Sequence, residues 1–287
     1  MTDSLPLFCH AHVPKTGGTS LNALLAEWFP LEFEVIHHPD PTYVLSIDQL
    51  ESHLARRPEL RCISTHNLRS YPSLIGNRRV RYFTILREPL DRAISVITFM
   101  KKTYSGLSEE HRASVPRNFC EMSELDIIRM WTPDFSAAEQ SPGLLGNPVT
   151  ALFIGDASGR NSSGNRHAYE RTIASKCIGI LSRFLYVGDF ACFEESVREL
   201  ARRIGALNGS SYDVHQVPKE RISRDSRGDL AWLDQGRAAI YDYIEGTAID
   251  GMVYRHFAQM NRRLLQKLRS PAATRQQFTL SPDPAGR

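Results

Sequence analysis

No run of about 20 apolar residues occurs anywhere in the 287-residue chain, so nothing in it reads as a transmembrane helix or membrane anchor. Met1-Thr2-Asp3-Ser4-Leu5-Pro6 lacks both a basic start and an apolar stretch, and a secretory leader is not expected there. Cysteine is sparse: the five residues at 9, 62, 120, 177 and 192 are odd in number and widely spaced. That argues against a disulfide framework and for reduced thiols in a reducing compartment. Excess charge is also missing, since a net charge of +3 and a pI near 8.6 are too mildly basic to indicate nucleic acid. No internal repeat and no long linker is visible. His37 and His38 precede Pro39 with no cysteine or carboxylate at a metal-ligand spacing, and read as loop residues.

What remains is an ordinary globular composition, 41% apolar and 23% charged, in a chain long enough to bury one large core. Leu7, Phe8 and Val13 bracket a short strand, and Leu21, Leu24, Leu25 and Trp28 then follow the spacing of one helix face. Ser46-Ile47-Asp48-Gln49 has the form of a capping box and predicts a helix that buries Leu50 and Leu54 and stops before Pro58. Strands are expected at about 60 to 65 and 80 to 86, flanking a turn with Tyr71-Pro72 and Gly76-Asn77. Phe193, Val197, Leu200 and Ile204 mark a helix ending at Gly205, and Ile249, Met252, Val253, Phe257, Met260 and Leu264 mark a longer one. The fold class is therefore α/β: a single domain over residues 1–269 with a mainly parallel central sheet flanked by helices. Residues 103–147 read as an irregular lid or acceptor wall carrying one helix near Leu125, Ile128 and Trp131. Residues 155–165 read as a flexible loop, and 270–287 as a disordered tail.

Chemistry concentrates in His12-Val13-Pro14-Lys15-Thr16-Gly17-Gly18-Thr19-Ser20, between the first strand and the first helix. Gly17 and Gly18 permit backbone angles that let an anion approach the main chain. The unpaired amides and positive dipole end of the helix then face that anion. Lys15 adds a full charge, and Thr16, Thr19 and Ser20 add hydroxyl donors. The order differs from the nucleoside-triphosphate loop, where the glycines come first and Lys precedes a magnesium-binding hydroxyl. A second cluster follows the strand-like Val80–Leu86 run. It opens with Arg87-Glu88-Pro89, not with an aspartate suited to magnesium. Pro89 suits a first helical turn, and Ser95 falls in the second. Arg87 and Ser95 together suit a second phosphate.

Pro14 to Ser20 resembles the 5′-phosphosulfate loop of the sulfotransferases that use 3′-phosphoadenosine-5′-phosphosulfate (PAPS). Leu86-Arg87-Glu88-Pro89 with Arg92 and Ser95 resembles their 3′-phosphate motif. The pattern is most similar to the carbohydrate-type enzymes, which include heparan 2-O-sulfotransferases and bacterial homologues. Weaker likenesses lie at Asn147 to Leu152, at Tyr186 to Phe190 leading into Phe193 to Ser196, and at Ala248-Ile249-Asp250 with Tyr254.

The resemblance implies a P-loop-like nucleotide-binding core and sulfuryl transfer from PAPS, without a metal, to a hydroxyl of an acceptor expected to be a saccharide. It implies cofactor contacts from Lys15, Thr16, Gly17, Gly18, Thr19, Ser20, Arg87 and Ser95, and catalytic roles for Lys15 and His66. His66 ends the Arg61-Cys62-Ile63-Ser64-Thr65-His66 run, where the family carries its base; the bland reading is a structural loop histidine. His12 is open between a core-facing histidine and a second acid/base. The pattern departs at Ala151, where the family often has Arg, and at Val217 to Arg224, where no contact carries over. A chain that reaches its phosphate loop so soon looks like the bacterial, cytoplasmic members. Two other readings stand beside this one: a P-loop-type kinase, and a nucleotide-binding protein without catalysis.

Overall fold

The computed structural model describes residues 5–38, 43–106, 118–131, 148–154, 166–214 and 248–269. In chain order the elements are β1 (Leu7–Ala11), α1 (Gly18–Trp28), β2 (Phe33–Val35), α2 (Ile47–Arg56), β3 (Cys62–Thr65), β4 (Leu74–Ile75), β5 (Arg78–Leu86) and α3 (Pro89–Thr103). They continue with α4 (Glu124–Trp131), α5 (Pro148–Ile154), α6 (Arg166–Leu181), β6 (Tyr186–Asp189), α7 (Phe193–Asn208) and α8 (Ala248–Arg269).

The sheet is mainly parallel. Strands β2, β3, β1, β5 and β6 lie side by side in that order, and among the described residues only the two-residue β4 pairs antiparallel, folding back on β5 around the Gly76-Asn77 turn. Alternation along each strand divides its side chains between two helical layers. Phe8, Cys62, Phe83, Ile85 and Tyr186 meet Leu21, Leu24 and Leu25 of α1 and Val197, Leu200 and Ile204 of α7. On the opposite face Leu7, Cys9 and Ile63 meet Leu50 and Leu54 of α2, while Ala11, Leu86 and Val187 meet α5, α6 and α8. This is an α/β fold with helices on both faces. The chain leaves β1 toward β2 and β3 on one side and continues to β5 on the other, so strand order reverses at the carboxyl end of β1.

Local signals place most of these elements. The Ser46 hydroxyl accepts from the Gln49 amide at 3.1 Å and the Gln49 side chain accepts from the Ser46 amide at 2.9 Å, closing the capping box of α2. Glu88 accepts from the Asp91 amide at 2.8 Å, and Pro89 occupies the first position of α3. Two expectations need correction. Helix α7 does not stop at Gly205 but runs to Asn208, with Gly209 in the left-handed conformation as its cap. Gly205 is a glycine for another reason: a Cβ there would lie 2.4 Å from the Ser210 carbonyl, which folds back on the helix end. Met260 is not on the buried face of α8 but is exposed.

Ile127 and Ile128 of α4, with Phe119 from the turn before it, pack against Ala93, Val96 and Ile97 of α3 in the stretch expected to form the acceptor wall. The remainder of that wall (107–117 and 132–147), the 155–165 loop, the 217–224 segment and the tail beyond 269 lie outside the described residues. No described helix is long and apolar enough to cross a membrane. None of the cysteines at 9, 62, 120, 177 and 192 is in a disulfide.

Candidate functional site

The loop between β1 and α1 is held in a shape that few residue types accept. Lys15 has φ 67 and Gly17 φ 86, both in the left-handed region. That backbone is ordinary for Gly17 and costs roughly 1–3 kcal/mol at a lysine. The Thr16 hydroxyl donates to the Val13 carbonyl at 2.8 Å and is buried, so what Thr16 can offer an anion is its amide. Leu21 donates to Gly17 at 3.0 Å and starts the helix, leaving the first-turn amides without helical partners. Ser20 is buried and Thr19 exposed.

Both glycines are compelled by neighbours as well as by backbone. A Cβ on Gly17 would lie 2.7 Å from the Phe193 ring and 2.9 Å from the Phe190 ring, and one on Gly18 would lie 1.6 Å from His12 Nε2. The main chain is therefore pressed bare against aromatic rings on one side, with its amides left to the other.

Arg87, at the carboxyl end of β5, reaches the same loop. Its Nη1 donates to the Lys15 carbonyl at 3.4 Å, and its guanidinium lies 4.5 Å from the centroid of the Phe190 ring. Phe190 thus touches both the glycine turn and the arginine. Burial lowers the Arg87 pKa, and its Nε is buried without a partner among the described residues. Ser95 is half-buried, one turn beyond the buried Arg92 on the same face of α3. Further along α3, the exposed Phe99 carries the Lys15 ammonium 4.1 Å above its ring. Nothing in the sequence singled out Phe99 or the double contact of Phe190.

The histidines converge on the third side. His66 Nδ1 lies 2.6 Å from the His12 carbonyl oxygen. A carbonyl only accepts, so the proton sits on Nδ1 and the lone pair on Nε2. The His66 ring is 3.9 Å from that of His12, which is 4.9 Å from that of His10, and His37 meets His66 edge-on at 6.5 Å. The sequence presents His37 as a plain loop residue, and nothing local in it shows that it borders His66. Burial depresses the His66 pKa, with His37 and Arg69 acting in the same direction against the His12 carbonyl. Burial holds His12 well below the ordinary value, aided by His10, His66 and Lys15, and takes His10 down to about 3.

The described parts of the three weaker sequence likenesses are tied together by hydrogen bonds. Asp250 of α8 accepts from the amides of Val149 and Thr150, each at 2.9 Å, and from the Thr150 hydroxyl at 2.6 Å, which caps α5. Burial raises the Asp250 pKa, while these hydrogen bonds and Arg92 oppose the rise. Asp189 accepts from the Ala191 amide at 3.0 Å and from the Tyr254 hydroxyl at 3.1 Å, which fixes the turn that carries Phe190. Among the described residues no group of His, Cys, Asp or Glu is arranged to hold a metal ion.

No protein-family model matches the chain, and no curated protein matches it in sequence. Among solved structures, a sulfotransferase from Alicyclobacillus acidocaldarius is similar over 84% of this chain and 94% of its own, with 13% identity and a TM-score of 0.38. An overlap that loose implies nothing about activity.

Proposed function

We infer that this chain transfers a sulfuryl group from PAPS to a hydroxyl of an acceptor. The observation that supports the reading is the meeting of the glycine turn and Arg87, through the Arg87 contact to the Lys15 carbonyl and the shared Phe190 ring. The residues fit such a donor. The glycine turn offers bare amides, and the buried Arg87 Nε is an unused donor.

In this reading the amides of residues 16 to 20, with Lys15, hold the 5′-phosphosulfate, and Arg87 with Ser95 holds the 3′-phosphate. PAPS supplies the sulfuryl group: its sulfur gains a bond to the acceptor oxygen and loses the one to the 5′-phosphate oxygen, leaving adenosine 3′,5′-bisphosphate. Lys15 places positive charge where that departing oxygen gains negative charge. His66 Nε2, carrying the lone pair, takes the proton of the acceptor hydroxyl. The lowered His66 pKa supports this role, since it keeps the ring neutral at pH 7. A saccharide as acceptor rests on the likeness of the His12 to Ser20 run to the carbohydrate-type enzymes.

The test is transfer of label from 35S-PAPS to a panel of saccharide and other alcohol acceptors, with EDTA present. Chelator-insensitive label on an acceptor is the expected result. A requirement for ATP and magnesium would replace the reading with phosphoryl transfer, and tight binding of adenosine 3′,5′-bisphosphate without turnover would replace it with simple nucleotide binding.

A further inference from the structure

His12 occupies a place that no acid/base role explains. Its Nε2 stands 1.6 Å from where a Gly18 Cβ would be, so the imidazole fills the volume of the missing side chain. The same ring lies 3.9 Å from the His66 ring at an interplanar angle of 30° and 4.9 Å from the His10 ring at 17°. His10 is itself pinned by Ser64 Oγ at 3.0 Å, by Asn22 Oδ1 at 3.3 Å and by stacking on Phe83. The His12 ring is therefore in contact with the start of α1, with His66 and with the pinned His10 at once. Its carbonyl meanwhile receives the His66 Nδ1 proton.

We propose that His12 is a positioning residue: its ring is a rigid spacer that sets the distance between the phosphate-binding end of α1 and the imidazole of His66, and its peptide carbonyl selects the His66 tautomer. Gly18 then belongs to the base's support as much as to the phosphate loop. The functional side of this inference rests on the sulfuryl-transfer reading; the geometric side does not.

The groups facing His66 are His12 from the loop after β1, His37 from the loop after β2 and Arg69 from the loop after β3. The His12 ring shields one face of His66 from water, while His37 and Arg69 oppose a positive charge on it. Removing the His12 ring admits water and frees the His66 plane, whereas a phenyl ring keeps the spacer without any proton chemistry.

The test uses the full chain and the variants His12→Phe, His12→Ala, Gly18→Ala and the His12→Ala/Gly18→Ala double. NMR titration of the His66 imidazole in the resting protein reads the geometry independently of turnover. In His12→Phe the His66 titration and its Nδ1-protonated tautomer should be retained, with kcat within about threefold of the parent. In His12→Ala the His66 pKa should rise toward its ordinary value and kcat should fall by about tenfold or more, with little change in KM for PAPS. Gly18→Ala should perturb the His66 resonances, and the double variant should restore adenosine 3′,5′-bisphosphate binding relative to Gly18→Ala alone. An unmoved His66 titration in His12→Ala, or additive losses in the double variant, would overturn the spacer. A His12→Phe variant as inactive as His66→Ala would do so too, by making His12 the base. If no variant or parent transfers sulfate, the NMR and binding arms still decide the spacer, and only the transfer reading fails.

Discussion

Arg87 donates from Nη1 to the main-chain carbonyl of Lys15 at 3.4 Å, although 72 positions separate the two residues. The contact is made possible by the parallel register of β1 with β5, Leu7 beside Val80 through His10 beside Phe83, which delivers both strand ends to one edge of the sheet. Whatever anion sits in the glycine turn is therefore a neighbour of whatever the guanidinium holds.

Replacing Lys15 with Ala is expected to lower kcat by about a hundredfold to a thousandfold and to weaken nucleotide binding, because it removes charge from the departing phosphate. Alanine also inherits the φ of 67, so folding is checked by circular dichroism alongside the kinetics. Unchanged turnover in a folded variant would remove Lys15 from the mechanism.

His66→Ala should cut turnover by at least about a hundredfold while nucleotide affinity, measured by calorimetry, stays near that of the parent. The direction of the His66 shift adds a pH signature. Its neutral, proton-accepting form persists below the ordinary value of 6.5, so the acid limb of kcat should fall below pH 6.5. An acid limb well above that value would mean another group is titrating.

Gly17→Ala combines a φ of 86 with ring carbons 2.7 and 2.9 Å from the new Cβ. Stability should fall by roughly 1–3 kcal/mol, and nucleotide affinity by about tenfold or more as the turn shifts. Denaturant unfolding and calorimetry read the two effects separately.

Acid should destabilise the protein through its buried histidines. The unfolded chain takes up a proton at His10 near pH 6.5 and the folded chain only near 3, so in that window the unfolded state holds more protons. Stability therefore rises with pH across the window and is lost as pH falls below 6.5, by about 1.4 kcal/mol per pH unit for each such histidine. His12 acts in the same direction. Urea unfolding at pH 7, 6 and 5 measures the slope, and His10→Phe should reduce it by one proton. A flat stability profile would show these rings protonated within the fold.

The features legible in the sequence were those whose cause is local. The turn at Lys15, Gly17 and Gly18 was legible as a strand-to-helix turn because strand, glycines and helix are consecutive, and Ser46 and Gln49 declare a helix start because they bond to each other. The end of α7 was misplaced because the pressure on Gly205 comes from Ser210, after the chain turns back. Helix α6 gave no clear signal: its buried Ile173, Ala174, Cys177 and Leu181 are joined by half-buried Tyr169, Ile178 and Ile180, so no single apolar stripe stands out. The resemblance named His66 and His12 one by one, but their contact and the bond that ties α5 to α8 were illegible for a different reason. His12 and His66 are 54 residues apart, and Thr150 and Asp250 are 100 apart, so each pair is created by sheet register and helix packing and not by spacing along the chain.

The claim that two cradles grip opposite ends of one nucleotide is tested most directly by calorimetric titration with adenosine 3′,5′-bisphosphate and with adenosine 5′-monophosphate, using the parent and Arg87→Ala. The account expects the parent to prefer the bisphosphate by about tenfold or more, and Arg87→Ala to bind the two alike. Equal affinities in the parent, or a preference that survives the loss of Arg87, would contradict it.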